Sequence, residues 1–280
     1  MQSIIRSHAK INLALNIIGK TSAFHKIESI VAFVSLHDEI SIKTINSNNH
    51  KISFIGKFSR GIKKQNTISK LLKILENKRL LINLKFRIKV KKNIPSKAGL
   101  GGGSMNAASI LSYLVKKKMV KMTPKKLTVI SRLVGYDVVL GLNYSNSILN
   151  SKNKIKRFSN YKKIYTLVVK PHLGCSTKQI FSKIRKFDEP KFNKPSKKMF
   201  NLNYLKKMGN SLELIAFTKY PKLKKIKFFL ESSSHAEFVR MTGSGSALVA
   251  YFYSKEKCDK AKKQFKKKYK NYWCKSSKTI

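Results

Sequence analysis

Hydrophobic positions along the 280-residue chain recur at two periods, two for strands and about 3.6 for helices. Ile11, Leu13, Leu15 and Ile17 alternate, which predicts a half-buried strand with Lys10, Asn12 and Asn16 on its opposite face. A second alternating run covers Ile30 to Ile42. Ile68, Leu71, Leu72 and Leu75 then fall at helical spacing over Asn66 to Arg79, and Leu84, Phe86, Ile88 and Val90 return to the strand period. That strand ends in Ile94-Pro-Ser-Lys-Ala-Gly-Leu-Gly-Gly-Gly-Ser-Met-Asn-Ala-Ala108, after which Ala107, Ile110, Leu111, Leu114 and Val115 continue as a helix. Thr123 and Pro124 supply an N-cap and first turn for the next helix, with Leu127, Ile130 and Val134 inward and Gly135 as its stop.

From Asn143 to Lys163 the chain turns polar, and a domain boundary is expected near the end of that stretch. A strand is predicted over Ile164 to Lys170 and a long loop over Asp188 to Asn203. Another strand, Ala247 to Tyr253, follows the tight Thr242-Gly-Ser-Gly245 sequence, and a lysine-rich helix is expected to close the domain. Strands and helices alternate without a regular βαβ repeat, so the class is α+β.

Composition changes this picture in one respect. The chain carries 61 Lys+Arg against 12 Asp+Glu, a formal charge of +49, which taken alone favours a nucleic-acid binder. Only 8 of the basic residues are Arg, and Lys is spread over strands, helices and loops alike. Readers of bases and phosphates cluster their charge and use the bidentate arginine fork, so no specific nucleic-acid partner is expected. Such a field still attracts anionic small molecules. Cys175, Cys258 and Cys274 have no metal-ligand spacing, and they read as free thiols in a reducing, cytoplasmic compartment. Leu133 to Leu142 is too short to span a bilayer, and the early strand predicts no removable presequence.

Three features carry candidate chemistry. Gly99, Gly101, Gly102 and Gly103 lie between a strand and a helix, where backbone N–H groups and the helix dipole make an anion cradle. No Gly-Lys-Ser/Thr follows, which disfavours a P-loop NTPase, and Ser104 is expected as the N-cap, its hydroxyl within reach of a phosphate or metal. Asp137 is one of four aspartates and the one acidic residue between Glu76 and Asp188, among the apolar Val138, Val139 and Leu140. A carboxylate buried there needs a cationic partner or a catalytic task. Lys10 shares a strand face with Asn12.

Set side by side, these segments resemble one family. His8-Ala-Lys-Ile-Asn-Leu13, followed by Phe24-His25, resembles the amino-terminal signature of the diphosphocytidyl-methylerythritol kinases, a branch of the GHMP superfamily. The glycine segment is similar to the GHMP phosphate loop, Gly135-Tyr-Asp137-Val to a Gly-Ala-Asp-Val-Pro motif, and Met241-Thr-Gly-Ser-Gly245 to a Gly-Ser/Thr-Gly motif. Phe24, Ala23, Tyr136 and Val139 stand where the family has Tyr, Gly, Ala and Pro.

The resemblance implies a ribosomal-protein-like N-terminal domain, 1–160, that binds ATP, and a ferredoxin-like C-terminal domain, 161–280. It implies transfer of the γ-phosphate of ATP, with Mg²⁺ on the nucleotide, to the 2-hydroxyl of the cytidine diphosphate-linked alcohol of non-mevalonate isoprenoid biosynthesis. Asp137 would accept the hydroxyl proton beside Lys10. Asn12, Phe24, His25 and Phe181 would face the cytidine end. Asn66, Lys92, Pro95, Ala98, Gly99, Leu100, Gly101, Gly102, Gly103, Ser104 and Asn106 would face ATP, and no resident metal ligand is assigned. A monomer or weak homodimer with no membrane partner is expected. The rivals are another GHMP kinase of the homoserine or mevalonate type and a basic RNA-binding protein.

Overall fold

The computed structural model describes residues 3–22, 24–159 and 162–280; Ala23 and the expected boundary at 160/161 lie outside them. Two compact units emerge, and neither is one stretch of chain. The first gathers the segment ending at Lys10 with Leu36–Pro95 and Gly101–Tyr144, and the second gathers Ile11–Ser35, Ser96–Leu100 and Ser145–Ile280. Two long paired strands, β1 (Ser3–Lys20) and β2 (His25–Ile45), run through both.

In the first unit, β4 (Lys85–Lys91) pairs antiparallel with the end of β2, Ile40 opposite Val90 and Ile42 opposite Ile88. β3 (Lys51–Ile55) pairs parallel with β4 on its other side. Phe86, Ile88 and Val90 are buried, as their alternation predicts. Helices α1 (Thr67–Asn77), α2 (Gly102–Lys116), α3 (Pro124–Val134) and the short α4 (Val138–Gly141) complete the unit. Leu71, Leu72 and Leu75 of α1 join Ile110, Leu111 and Leu114 of α2 in one core with Ile40 and Ile42 of β2. Each such side chain contributes about 1.5–3 kcal/mol when fully buried. Thr123 caps α3 by accepting from Lys126 N at 3.2 Å, and Gly135 ends it, both as the sequence predicts.

In the second unit, β5 (Asn146–Leu149) pairs with Ser29–Val31 of β2, and β6 (Ile155–Phe158) pairs with β5. Then follow β7 (Tyr165–Lys170), α5 (Thr177–Phe181), a 3₁₀ turn over Lys197–Phe200, α6 (Leu202–Lys206), α7 (Glu213–Lys219) and α8 (Pro221–Ser233). The chain finishes with β8 (Phe238–Met241), β9 (Leu248–Phe252), α9 (Lys255–Lys268) and β10 (Trp273–Lys278). The four strands form an antiparallel sheet in the order β10-β7-β9-β8. Leu223, Ile226 and Leu230 of α8 and Ala261 and Phe265 of α9 share a core with its Leu167, Val169, Leu248 and Ala250. This is the α+β layering expected.

Several expectations are corrected. β1 is buried on both faces between Ala9 and Ile17, Lys10, Asn12 and Asn16 included. The polar stretch 143–163 holds the β5–β6 pair, because backbone pairing with β2 supplies what side-chain pattern does not. Asp188 to Asn203 is loop as far as the 3₁₀ turn at Lys197–Phe200, as expected, and it is anchored: Glu28 accepts from Lys191 N and Phe192 N, and Phe192 and Phe200 are buried. The lysine-rich helix does not close the unit, since β10 follows it and pairs with β7.

Candidate active site

Lys10 comes to its place in β1, and Asp137 comes to its own through the turn after α3. There the Gly135 N–H still bonds Ser131 O, and Val138 N bonds Gly135 O, both at 3.0 Å. The two side chains meet within the first unit, Lys10 Nζ 3.4 Å from Asp137 Oδ2. The lysine side chain is 5% exposed and the aspartate 39%. Asp137 is therefore not the buried carboxylate that its apolar neighbours predict: Val138 and Leu140 turn into the core while the carboxylate stays open to solvent. Tyr136 beside it is 57% exposed.

The start of α2 lies against the same lysine. Gly101, with φ +67°, is the N-cap, and a methyl there would stand 3.4 Å from Lys10 Cβ. Ser104 is thus the third residue of the helix and not its cap, because Gly102 and Gly103 already take helical conformation. No side chain caps this terminus, and the first intrahelical bond is Met105 N to Gly101 O at 2.9 Å. The N–H groups of Gly102, Gly103 and Ser104 consequently precede any helical acceptor, which is the donor array an anion takes. Asn106 and Ala107 are buried in the helix behind them.

Lys92 also stands against this terminus, 3.3 Å from where a Gly102 methyl would be. It is held by Asp38, which is fully buried and also accepts from Asn93 N at 2.7 Å and Ile94 N at 2.8 Å. Asp38 was not foreseen from sequence. Its signal was available: an acidic residue inside an apolar strand, in a chain with 12 Asp+Glu, needs dedicated partners. Asn66 is used locally, its Oδ1 accepting from Ile68 N and Ser69 N and its Nδ2 donating to Lys63 O and Lys64 O. Its neighbour Thr67 donates to Gly103 O at 2.8 Å.

Pro95 ends a segment of the first unit, and the other predicted residues fall in the second unit. Asn12 is 3% exposed; its Nδ2 donates to Ser29 Oγ at 2.8 Å and its backbone N–H to Thr242 Oγ1 at 3.1 Å. The His25 and Phe181 rings pack at 5.2 Å between centroids. Partial burial, then the nearby Lys20 ammonium, holds the His25 imidazole below its usual range, so it is neutral at neutral pH. Phe24 is 44% exposed. The first half of the glycine segment also belongs here. Gly99 has φ +73°, and a methyl on it would stand 1.9 Å from Thr242 O. Ala247 N donates to Ala98 O at 3.1 Å, and Ser246 N to Lys97 O at 3.3 Å. The Thr242–Gly245 sequence is therefore the support on which Lys97 to Gly99 rest. Asn210 and Glu213, which grip that support, were not foreseen.

Among the described residues no group of three or more His, Cys, Asp or Glu is placed to hold a metal ion, and no helix is long and apolar enough to cross a membrane.

Comparison with known proteins matches residues 66–146 to the GHMP kinases N terminal domain and 184–271 to the GHMP kinases C terminal domain. The chain is 54% identical to a 4-diphosphocytidyl-2-C-methyl-D-erythritol kinase of Pelagibacter ubique, over 99% of this chain and 98% of that one. It is 30% identical to the protein of the same name from Clostridium tetani, over 99% of each. Among solved structures, a 4-(cytidine 5'-diphospho)-2C-methyl-D-erythritol kinase superposes with a TM-score of 0.77 at 23% identity over 100% of both chains. A homoserine kinase from Cytophaga hutchinsonii superposes at 0.72 and 15% identity over 100% of this chain and 94% of that one, so the fold alone does not separate the two activities. With its lysine–aspartate pair beside an uncapped glycine helix start and its full-length likeness to the Pelagibacter protein, the chain belongs to the GHMP kinase family, in the branch of the 4-diphosphocytidyl-2-C-methyl-D-erythritol kinases.

Proposed function

We propose that the protein transfers the γ-phosphoryl group of ATP to the 2-hydroxyl of 4-diphosphocytidyl-2-C-methyl-D-erythritol, with Asp137 as the base. The single observation that carries the chemistry is the Lys10–Asp137 pair at 3.4 Å, its lysine sealed and its carboxylate open, against the start of α2. The open carboxylate takes the hydroxyl proton while the hydroxyl oxygen bonds to the γ-phosphorus; the bond from that phosphorus to the β-phosphate oxygen breaks, and ADP leaves. Lys10 steadies negative charge gathering on the attacking oxygen.

The uncapped N–H groups of Gly102, Gly103 and Ser104 are assigned to the phosphates, with Lys92 as a neighbouring cation fixed by Asp38. Mg²⁺ would be carried on ATP, where it would neutralise charge on the phosphates. That assignment fits a site whose side-chain donor is the Ser104 hydroxyl, since Mg²⁺ keeps several waters and binds chiefly through phosphates. His25 and Phe181 are assigned to the cytosine, the neutral imidazole for its polar edge and the phenyl ring for its face. The reaction is placed in the cytoplasm, in a monomer or weak homodimer.

Turnover of ATP against a panel of this alcohol, homoserine and mevalonate tests the reading. Phosphorylation of the cytidine diphosphate-linked alcohol is expected, and selective turnover of homoserine or mevalonate would overturn it.

A further inference from the structure

Asn210 lies in the turn before α7, where nothing in its sequence neighbourhood marks it. It is 6% exposed, and its side chain is fully committed: Nδ2 donates to Met241 O and to Gly243 O, each at 2.8 Å, while Oδ1 accepts from Leu212 N at 3.0 Å. An amide has two donor hydrogens, so both go to carbonyls flanking Thr242. Glu213 completes the grip, accepting from Met241 N at 2.6 Å.

What is gripped touches the glycine segment directly. A methyl on Gly243 would stand 3.3 Å from Gly99 Cα and 3.3 Å from Gly99 O. Thr242 Oγ1 lies 3.1 Å from Gly99 O, and it also accepts from Asn12 N. Both glycines have positive φ, +53° at Gly243 and +73° at Gly99, so the two backbones meet where no side chain fits between them. At such contact a shift of a few tenths of an ångström in Met241–Gly243 is passed to Gly99, two residues before the helix cap Gly101.

We propose that Asn210 is a positioning residue for phosphate binding: its amide fixes the Met241–Gly243 turn, and that turn fixes the backbone of the glycine segment that receives ATP. The inference rests on the assignment of that segment to ATP. Asn210 touches neither substrate nor reacting atoms in this role.

Asn210→Asp is the informative variant, because it keeps the oxygen that Leu212 N uses and turns an oxygen toward two carbonyls in place of the two hydrogens. Its KM for ATP and its calorimetric Kd for ATP should rise at least about tenfold, with KM for the alcohol nearly unchanged. Thr242→Val removes the hydroxyl shared with Gly99 and should raise KM for ATP in the same direction; the double variant should lose less than the product of the two. A residue that only stabilises the fold would lower the urea midpoint and leave the ATP constants of the folded protein alone. That result, or multiplicative effects in the double variant, overturns the proposal. Should Asn210→Asp not fold, Thr242→Val decides: unchanged KM for ATP overturns the proposal. Wild-type protein that turns over ATP alongside an indifferent Asn210→Asp sinks this inference alone, whereas wild type that binds no ATP sinks it together with the assignment of the segment.

Discussion

Lys10 and Asp137 form an ion pair with unequal access to water: at 3.4 Å, the ammonium side chain is 5% exposed and the carboxylate 39%. A sealed lysine cannot relax toward solvent, so its charge stays directed at its partner. The open carboxylate is the member of the pair that the proposed mechanism turns toward the hydroxyl. Unequal exposure therefore separates the roles of the two residues.

Asp137→Asn should lower kcat by at least about 10²-fold, the low end for loss of a general base, with little change in ATP affinity. Lys10→Met should act similarly. Because the two side chains form one unit, the double variant should fall far short of the product of the single losses. Steady-state kinetics with calorimetric ATP binding checks this, and wild-type turnover by Asp137→Asn would remove Asp137 from the mechanism.

Gly102→Val should weaken nucleotide binding more than it weakens the fold. A methyl at Gly102 already stands 3.1 Å from Ile94 Cγ2 and 3.3 Å from Lys92 Nζ, so the branched side chain must displace one of them or tilt the first turn of α2. Calorimetry on a variant that retains the wild-type circular dichroism spectrum is the measurement. Unchanged ATP affinity would place the phosphates elsewhere.

Asp38→Ala is predicted to cost about 3–5 kcal/mol of stability, as breaking one side of a buried pair does. It leaves Lys92 charged and 5% exposed, and it strips the acceptor from Asn93 N and Ile94 N. Urea denaturation gives the value. Replacing both members with apolar residues, Asp38→Leu with Lys92→Met, should recover only the part due to the unpaired lysine, since Asn93 N and Ile94 N still lack their acceptor, and none of the ATP affinity.

Alkaline pH should destabilise the protein through its thiols. Burial pushes Cys175 from an ordinary 9.0 up to about 11, with Lys170 and then Lys219 pulling partly the other way, and burial does the same to Cys258. The unfolded thiol loses its proton first, so the contribution is fully present below about pH 9 and is lost as pH rises from there toward 11. A urea midpoint that falls over this window in wild type and falls less in a Cys175→Ala, Cys258→Ala variant is the expected outcome. At pH 7.5 the native thiols should resist iodoacetamide that labels them in urea.

How far the sequence discloses this molecule depends on where each residue finds its partner. Thr123 caps a helix three residues away, and the glycines of 99–103 act through their own backbone, so both are legible locally. Asp38 meets Lys92, Asn210 meets Gly243, and Glu28 meets Phe192, each across several intervening elements and at a separation that no periodicity encodes. The last strand, Trp-Cys-Lys-Ser-Ser-Lys, hides for another reason: β7 imposes the conformation through backbone bonds that a polar hexapeptide would not declare. Exposure is likewise a tertiary quantity, and apolar neighbours in the sequence put Asp137 deeper than it lies.

The interleaving of the two units bears on how the chain is made. A ribosome delivers Ile11–Ser35 early, but its unit is completed by residues from Ser145 onward. At about 5–20 residues per second, roughly 5–20 s pass before even the first of those partners is made. Throughout that time, Ile30, Val31, Ala32, Phe33 and Val34, none more than 1% exposed in the finished protein, have no completed core to enter. The nascent chain thus carries a five-residue apolar strand, free of charge, through much of its synthesis, and that segment is where holding chaperones or aggregation would compete with folding.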